Sequence, residues 1–253
     1  MTERVDAFVE DSPEAAEVLQ MALSLADVFS VEAEALHVGR RNERLARLAE
    51  SENVLLRTVA GDPTQQIIAE MDSPGVVMGV LGCRQPAGPR PGGHVALQVI
   101  ARVARVLAVV PPGARLPSPG EIRRILVPLD GSRESALAVR ELCDVFARSN
   151  IDVVVVHVFD RETVPSFWDQ PHYAAEAWGE EFRAQFLESA SIRLRTGEPY
   201  DRILAVASEE AVDAIALGWS QRLDPGRARV VRHMLSESPV PVLLVPVGEE
   251  NPL

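Results

Sequence analysis

Lysine is absent from the sequence, and arginine supplies all 25 basic residues. That excludes chemistry built on a Schiff-base lysine or on the lysine of a phosphate-binding P-loop. Cysteine is nearly as scarce. Cys83 and Cys143 make no spaced framework, fit a reducing cytosol, and read as core or loop residues and not as a redox pair. Positive charge is also short: a formal net charge of −12 argues against a nucleic-acid partner, because a phosphate backbone would be repelled over most of the surface. No apolar run reaches the roughly 18 residues of a membrane span, and Met1-Thr2-Glu3-Arg4 leads into a strand-like segment without signal-peptide features. A soluble, cytoplasmic protein with no membrane partner is expected. The five histidines lack metal-ligand spacing, so no metal site is expected.

What the sequence does have is a repeat. Residues 5 to 9 alternate as a strand, Glu10-Asp11-Ser12-Pro13-Glu14 carries helix-start chemistry, and Ala16, Leu19, Leu23 and Ala26 form an apolar stripe. Shifting by 120 positions gives strand Ile125 to Leu129, the turn Asp130-Gly131-Ser132, the stripe Ala136, Val139, Cys143 and Phe146, and His157-Val158 opposite His37-Val38. Further on the offset becomes 136, placing Gly61-Asp62-Pro63 on Gly197-Glu198-Pro199, Gly82 on Gly218 and Gln85 on Gln221. The segment Pro112 to Gly120 reads as a linker. Two units follow, residues 1–113 and 121–250, each alternating strand and helix. Right-handed crossovers make each an α/β unit: a parallel five-stranded sheet with helices on both faces.

The change of offset leaves 16 extra residues in the second unit, within an aromatic insertion at about 159–190. Seven of the twelve aromatic residues lie between Phe159 and Phe186, with Trp178, Phe182 and Phe186 at helical spacing. Such a stripe packs over the sheet or the first unit, or it forms a lid in which Trp168 or Tyr173 stacks on a ligand.

In the second unit the apolar run Ala214 to Leu217 stops at Gly218, a turn follows, and helical spacing resumes after Pro225-Gly226. A strand, loop and helix start of this kind favours an anion, because the helix N–H groups and dipole face the cleft. Arg227 and Arg229 on the first turn either grip a phosphate or carboxylate or form a solvated pair.

Ile125 to Ser132, His157-Val158, Gly218 to Gly226 and Pro239 to Val245 together resemble the universal stress protein family, well in the second half and more faintly in the first. The resemblance implies two tandem Rossmann-like domains, each with strand order 3-2-1-4-5 and a nucleotide cleft where strands 1 and 4 diverge. It implies pairing of the last strands of the two halves as an intramolecular pseudo-dimer, and leaves room for a further homodimer. ATP-binding members use an acid at the end of strand 1 and the pattern G-x2-G-x9-G-[ST]. Carried over, the ligand-binding candidates are Pro128, Leu129, Asp130, Gly131, Ser132, Val158, Gly218, Trp219, Ser220, Gln221, Gly226, Arg227, Ala228 and Arg229, with ATP or AMP as the implied cofactor. Gln221 replaces the second glycine, Gly226 comes too early, and Arg227 stands where a hydroxyl is expected. The first-half equivalents are Glu10, Asp11, Gly82, Gln85, Gly92, Gly93 and His94, and they depart from the pattern too.

Two functions are weighed. One is a non-catalytic stress-response module binding an adenine nucleotide or another small anion in the second-half cleft. The other is a scaffold or protein-interaction module with vestigial clefts, to which the shortened loop adds weight. An esterase built on Ser220 with His172 or His233 is disfavoured, because the second glycine of a nucleophile elbow is missing and Arg84 stands at the equivalent position.

Overall fold

The computed structural model describes residues 2–83, 94–159, 190–221 and 229–247. The first half runs β1 (Arg4–Phe8), α1 (Ala15–Phe29), β2 (Glu32–Val38), α2 (Glu43–Ser51), β3 (Leu55–Val59), α3 (Pro63–Met71), β4 (Val76–Gly82), α4 (His94–Ile100) and β5 (Leu107–Val110). The second contains β6 (Arg124–Leu129), α5 (Arg133–Arg148), β7 (Asp152–Phe159), β8 (Ser191–Thr196), α6 (Pro199–Glu209), β9 (Ala214–Trp219), α7 (Arg229–Glu237) and β10 (Val242–Pro246). The helix expected around Trp178 to Phe186 lies outside the described residues.

Each half has strand order 3-2-1-4-5, and the two sheets are continuous. The full order is β3-β2-β1-β4-β5-β10-β9-β6-β7-β8. Every pairing within a half is parallel, and the seam between β5 and β10 is antiparallel, with Val242 opposite Val109 and Leu244 opposite Leu107. Strands β4, β5, β9 and β10 at the middle of the sheet are nearly continuous apolar runs, as strands covered on both faces require. One core, containing Leu19, Leu25, Val139 and Phe146, spans both halves beneath α1 and α5. A second, containing Met71, Val99, Val206 and Met234, spans both halves on the other face. Gly79 in β4 is sterically required, since a Cβ there would collide with Met71 Sδ and stand 2.7 Å from Phe8 Cε2.

The segment expected to be a linker is fastened to both halves through its middle residues. Arg115 donates its backbone N–H to Pro239 O and its Nη2 to Val212 O, each at 2.8 Å, while Pro117 O accepts from Ser24 Oγ at 2.8 Å and Gln20 Nε2 at 3.2 Å. Across α1 and α5, the rings of Phe29 and Phe146 meet edge to face at 6.4 Å.

The first helix differs from its sequence expectation. Ala15, Val18, Ala22 and Leu25 are buried while Ala16 is exposed, so the buried stripe is rotated from the expected one. The helix begins after Glu14 without a side-chain cap, because Ser12 engages the turn through its carbonyl, which accepts from Ala15 N. In the second half Ser132 caps α5 through Oγ, accepting from Ser135 N.

Candidate functional site

The central strand of the second half has a proline where the first half has phenylalanine. Backbone partners fix which way each residue faces: Arg4 N bonds Gly75 O towards β4, and Val9 N bonds Leu36 O towards β2. Alternation then turns the nitrogen of residue 8, and of residue 128 by the repeat, towards the fourth strand. Phe8 has an N–H, and β1 pairs with β4 as far as Phe8 opposite Leu81. Pro128 has none, and β6 pairs with β9 only at Ile125 and Leu126, while its other edge stays paired with β7 through Leu129. The sheet therefore splits on one side of β6 below Asp130, at the point where strand order reverses.

The turn above this split is held from beneath. His157 Nδ1 lies 2.8 Å from Leu129 O, and the acceptor is a carbonyl, so Nδ1 carries the proton. His37 repeats the bond to Val9 O at 3.0 Å, so both strand-end histidines are engaged with the backbone. Gly131 has φ +86°, a backbone conformation that disfavours any residue with a side chain, and an added Cβ would meet His157 Cε1 at 3.3 Å. Asp130 is exposed, and its Oδ1 accepts from Ser132 N at 2.9 Å and Ser132 Oγ at 2.7 Å. Gly218 lies beside the start of α5, where a Cβ would stand 3.5 Å from Ser135 Cα, an ordinary contact. Pro128, Leu129, Asp130, Gly131 and Ser132 thus follow one another along the edge of β6 that leaves β9, Gly218 lies beside the start of α5, and Val158 is half-buried near the end of the adjoining β7.

Two expected ligand contacts are turned elsewhere. Trp219 is 3 % exposed and its Nε1 donates to Ile100 O at 3.2 Å, across the seam. The Gln221 amide donates to Val103 O, also in the first half, and Gln221 adopts φ +60° to do so. Their side chains lock the halves together because β9 is only one strand from the seam. Ser220 and Arg229 are exposed, and Arg229 opens α7 with its carbonyl bonded by His233 Nδ1 at 2.9 Å. Gly226, Arg227, Ala228, Trp168, Tyr173, His172, Gln85, Gly92 and Gly93 lie outside the described residues.

In the first half a cavity of about 190 Å³ occupies the corresponding place, walled by Phe8, Leu36, Val38, Ile67, Leu81 and Val95. Glu10, Ser12, Glu14, Gly82 and Cys83 complete its rim. Burial pushes the Cys83 thiol above its ordinary range. Asp11 turns outward to Arg44, 2.8 Å away, and that hydrogen bond first, then one from Asn42, holds its carboxyl below the usual range. His94 opens α4. The sequence motifs pointed to the rim of this cavity but not to its apolar wall, which is assembled from β1, β2, β4 and β5 and from α1, α3 and α4.

A buried ionic cluster centred on β1, the middle strand of the first half, escaped the sequence reading. Asp6 is fully buried, with Arg4 Nε 3.0 Å from its Oδ1, while Oδ2 has no hydrogen-bond partner. Glu70 bridges Arg4 at 2.7 Å and Arg57. Burial raises the Asp6 carboxyl to about 6 despite Arg4. Among the described residues, no group of three or more His, Cys, Asp or Glu is placed to hold a metal, and no helix is long and apolar enough to cross a membrane.

Residues 121–246, the half with the split sheet, match the Universal stress protein family. The chain belongs to that family. Over its whole length this universal stress protein is similar to one from Archaeoglobus fulgidus DSM 4304, at 17 % identity and TM-score 0.64, covering 98 % of this chain and 97 % of that one. A putative universal stress protein from Pseudomonas aeruginosa UCBPP-PA14 is similar at 15 % identity and TM-score 0.64, covering 97 % and 93 %. The cytoplasmic domain of a prokaryotic cation chloride cotransporter shares the fold at 12 % identity and TM-score 0.55, covering 99 % and 98 %. None of the curated proteins matches the chain in sequence. The doubled fold of this family member is thus shared with a protein of a different kind, and its function has to be argued from its own crevices.

Proposed function

We propose that this chain is a stress-response module of the cytoplasm, without catalysis of its own, that binds an adenine nucleotide such as ATP or AMP, or another small anion, in the second-half crevice. The observation that carries the reading is the early end of the β6–β9 ladder at Pro128, which opens the sheet directly below the Asp130-Gly131-Ser132 turn. Asp130 uses Oδ1 within the turn, which leaves Oδ2 to accept from an exocyclic amine or a ribose hydroxyl. The start of α5 contributes N–H groups and the positive end of its dipole. Isothermal calorimetry with ATP and AMP tests this. Saturable binding is expected, weakened about tenfold by Asp130→Ala, the loss of roughly one hydrogen bond to a charged group.

A second reading has one observation in its favour. Trp219 and Gln221 direct their side chains to Ile100 and Val103, which subtracts two expected side chains from the ligand and spends them on rigidity. On that reading the chain is a scaffold, its two halves a fixed pseudo-dimer presenting its outer helices to a protein, and calorimetry finds neither nucleotide bound.

A further inference from the structure

The repeat places a pair of arginines near the start of the strands in each half, at the opposite end of the sheet from the Asp130 turn. They are Arg4 and Arg57 in the first half, and the two offsets carry them onto Arg124 and Arg193 in the second. Three carboxylates surround the first pair. Asp6 and Glu70 lie 3.0 and 2.7 Å from Arg4, and Glu70 also pairs with Arg57. Glu34 bridges the two arginines through one oxygen, 3.5 Å from Arg4 and 3.2 Å from Arg57. The equivalents of Asp6, Glu34 and Glu70 are Leu126, Val154 and Val206, all buried and apolar. The second pair has other partners instead. Arg124 meets Asp152 at 3.0 Å and the Glu210 carbonyl oxygen at 2.8 Å, and Arg193 Nε meets Glu210 Oε1 at 2.5 Å. Arg124, Arg193, Asn150, Ser191 and Val154 line a cavity of about 290 Å³ with a mostly polar wall.

We propose that this cavity is a separate ligand site, and that it takes a small hydroxylated carboxylate whose charged group stands where Glu34 stands in the first half. Glu34 shows that this fold holds a carboxylate between such a pair of arginines. Val154 supplies no oxygen there, so the place is left to a guest. Arg193 spends Nε on Glu210 and only a long 3.4 Å bond from Nη1 on Ile192 O, which leaves part of its donor fork for a carboxylate. The side chains of Arg124 and Arg193 are 37 % and 36 % exposed, so an anion reaching them keeps much of its hydration and escapes the penalty of a fully buried pair. Ser191, Asn150 and Asp152 are hydrogen-bond partners for hydroxyl groups on the rest of the guest. The volume suits a chain of about six carbons.

The experiment is a titration of the full chain, labelled with nitrogen-15, by gluconate and separately by sorbitol, its uncharged counterpart, at constant pH and ionic strength. Gluconate is expected to shift the amide signals of Asn150, Ser191 and Arg193 saturably. Sorbitol is expected to bind about tenfold more weakly, the worth of one charge-assisted bond. Val154→Glu rebuilds the first-half arrangement and is expected to abolish the gluconate shifts, because its own carboxylate takes the guest's place. If that variant fails to fold, the comparison of the two guests on the wild type still decides. Equal affinity for sorbitol, shifts confined to Gly131 and Ser132 at the other end of the sheet, no saturable shift, or gluconate binding retained in folded Val154→Glu overturns the proposal. Nucleotide binding at Asp130 is read separately by calorimetry and can fail or succeed on its own.

Discussion

The indole of Trp219 donates a hydrogen bond to the carbonyl oxygen of Ile100 at 3.2 Å, joining residues 119 positions apart. Both partners are buried, so the bond fixes the seam from the α4 side while Phe29 and Phe146 meet on the other. Trp219→Phe keeps most of the apolar volume and leaves the Ile100 carbonyl without its donor. Chemical denaturation should show a loss of about 1–3 kcal/mol, the cost of an orphaned buried acceptor. Nucleotide affinity should stay within about twofold. A variant as stable as the wild type, with weakened nucleotide binding, would mean that the indole faces the ligand.

Pro128 gives a prediction of opposite sign. Pro128→Val restores an N–H on the side of β6 that faces β9, where the ladder now stops at Leu126. Extending the ladder should raise stability by about 0.5–1.5 kcal/mol and narrow the crevice. Nucleotide affinity should fall in parallel, and calorimetry of the variant reads both effects. Unchanged affinity would separate the split in the sheet from ligand binding.

Asp6 predicts a pH dependence. Its carboxyl titrates near 6 in the folded chain, chiefly because burial opposes the charge, against an ordinary value of 3.8. The folded state therefore binds the proton more tightly than the unfolded state. Stability contributed by Asp6 is fully present below about pH 4, falls as pH rises through about 6, and is lost above that. The stability of wild type minus that of Asp6→Asn should fall across this window by up to about 3 kcal/mol. A difference that is flat or rises with pH would show Arg4 to outweigh burial.

The sequence exposed the duplication because two offsets aligned strand ends, turns and glycines without gaps, and parallel crossovers then allowed little besides the order 3-2-1-4-5 in each half. The motif residues Glu10, Ser12 and Gly82 also marked the rim of the first-half cavity, which sits at strand ends. What the sequence hid were relations across long separations. Trp219 looks locally like the last residue of a strand, and only the pairing of β5 with β10 brings Ile100 within its reach. Asp6 looks like the polar position of an alternating strand, yet Arg4, Glu34, Arg57 and Glu70 surround it from four elements. Pro128 reads as one letter of a motif until the direction of its nitrogen is known. The rotation of the α1 stripe has the same origin: both Ala15 and Ala16 are small and apolar, and the packing angle on β1 and β4 decides which is covered.

An adenine nucleotide is expected to enter the second-half crevice beside Asp130. Photolabelling the full chain with 8-azido-ATP, followed by peptide mapping, tests it most directly. Label is expected on the segments that carry Asp130 and Val158, competed by ATP and reduced in Asp130→Ala. Label on the segments that carry Glu10 and Val38, or no label that ATP competes away, would contradict it.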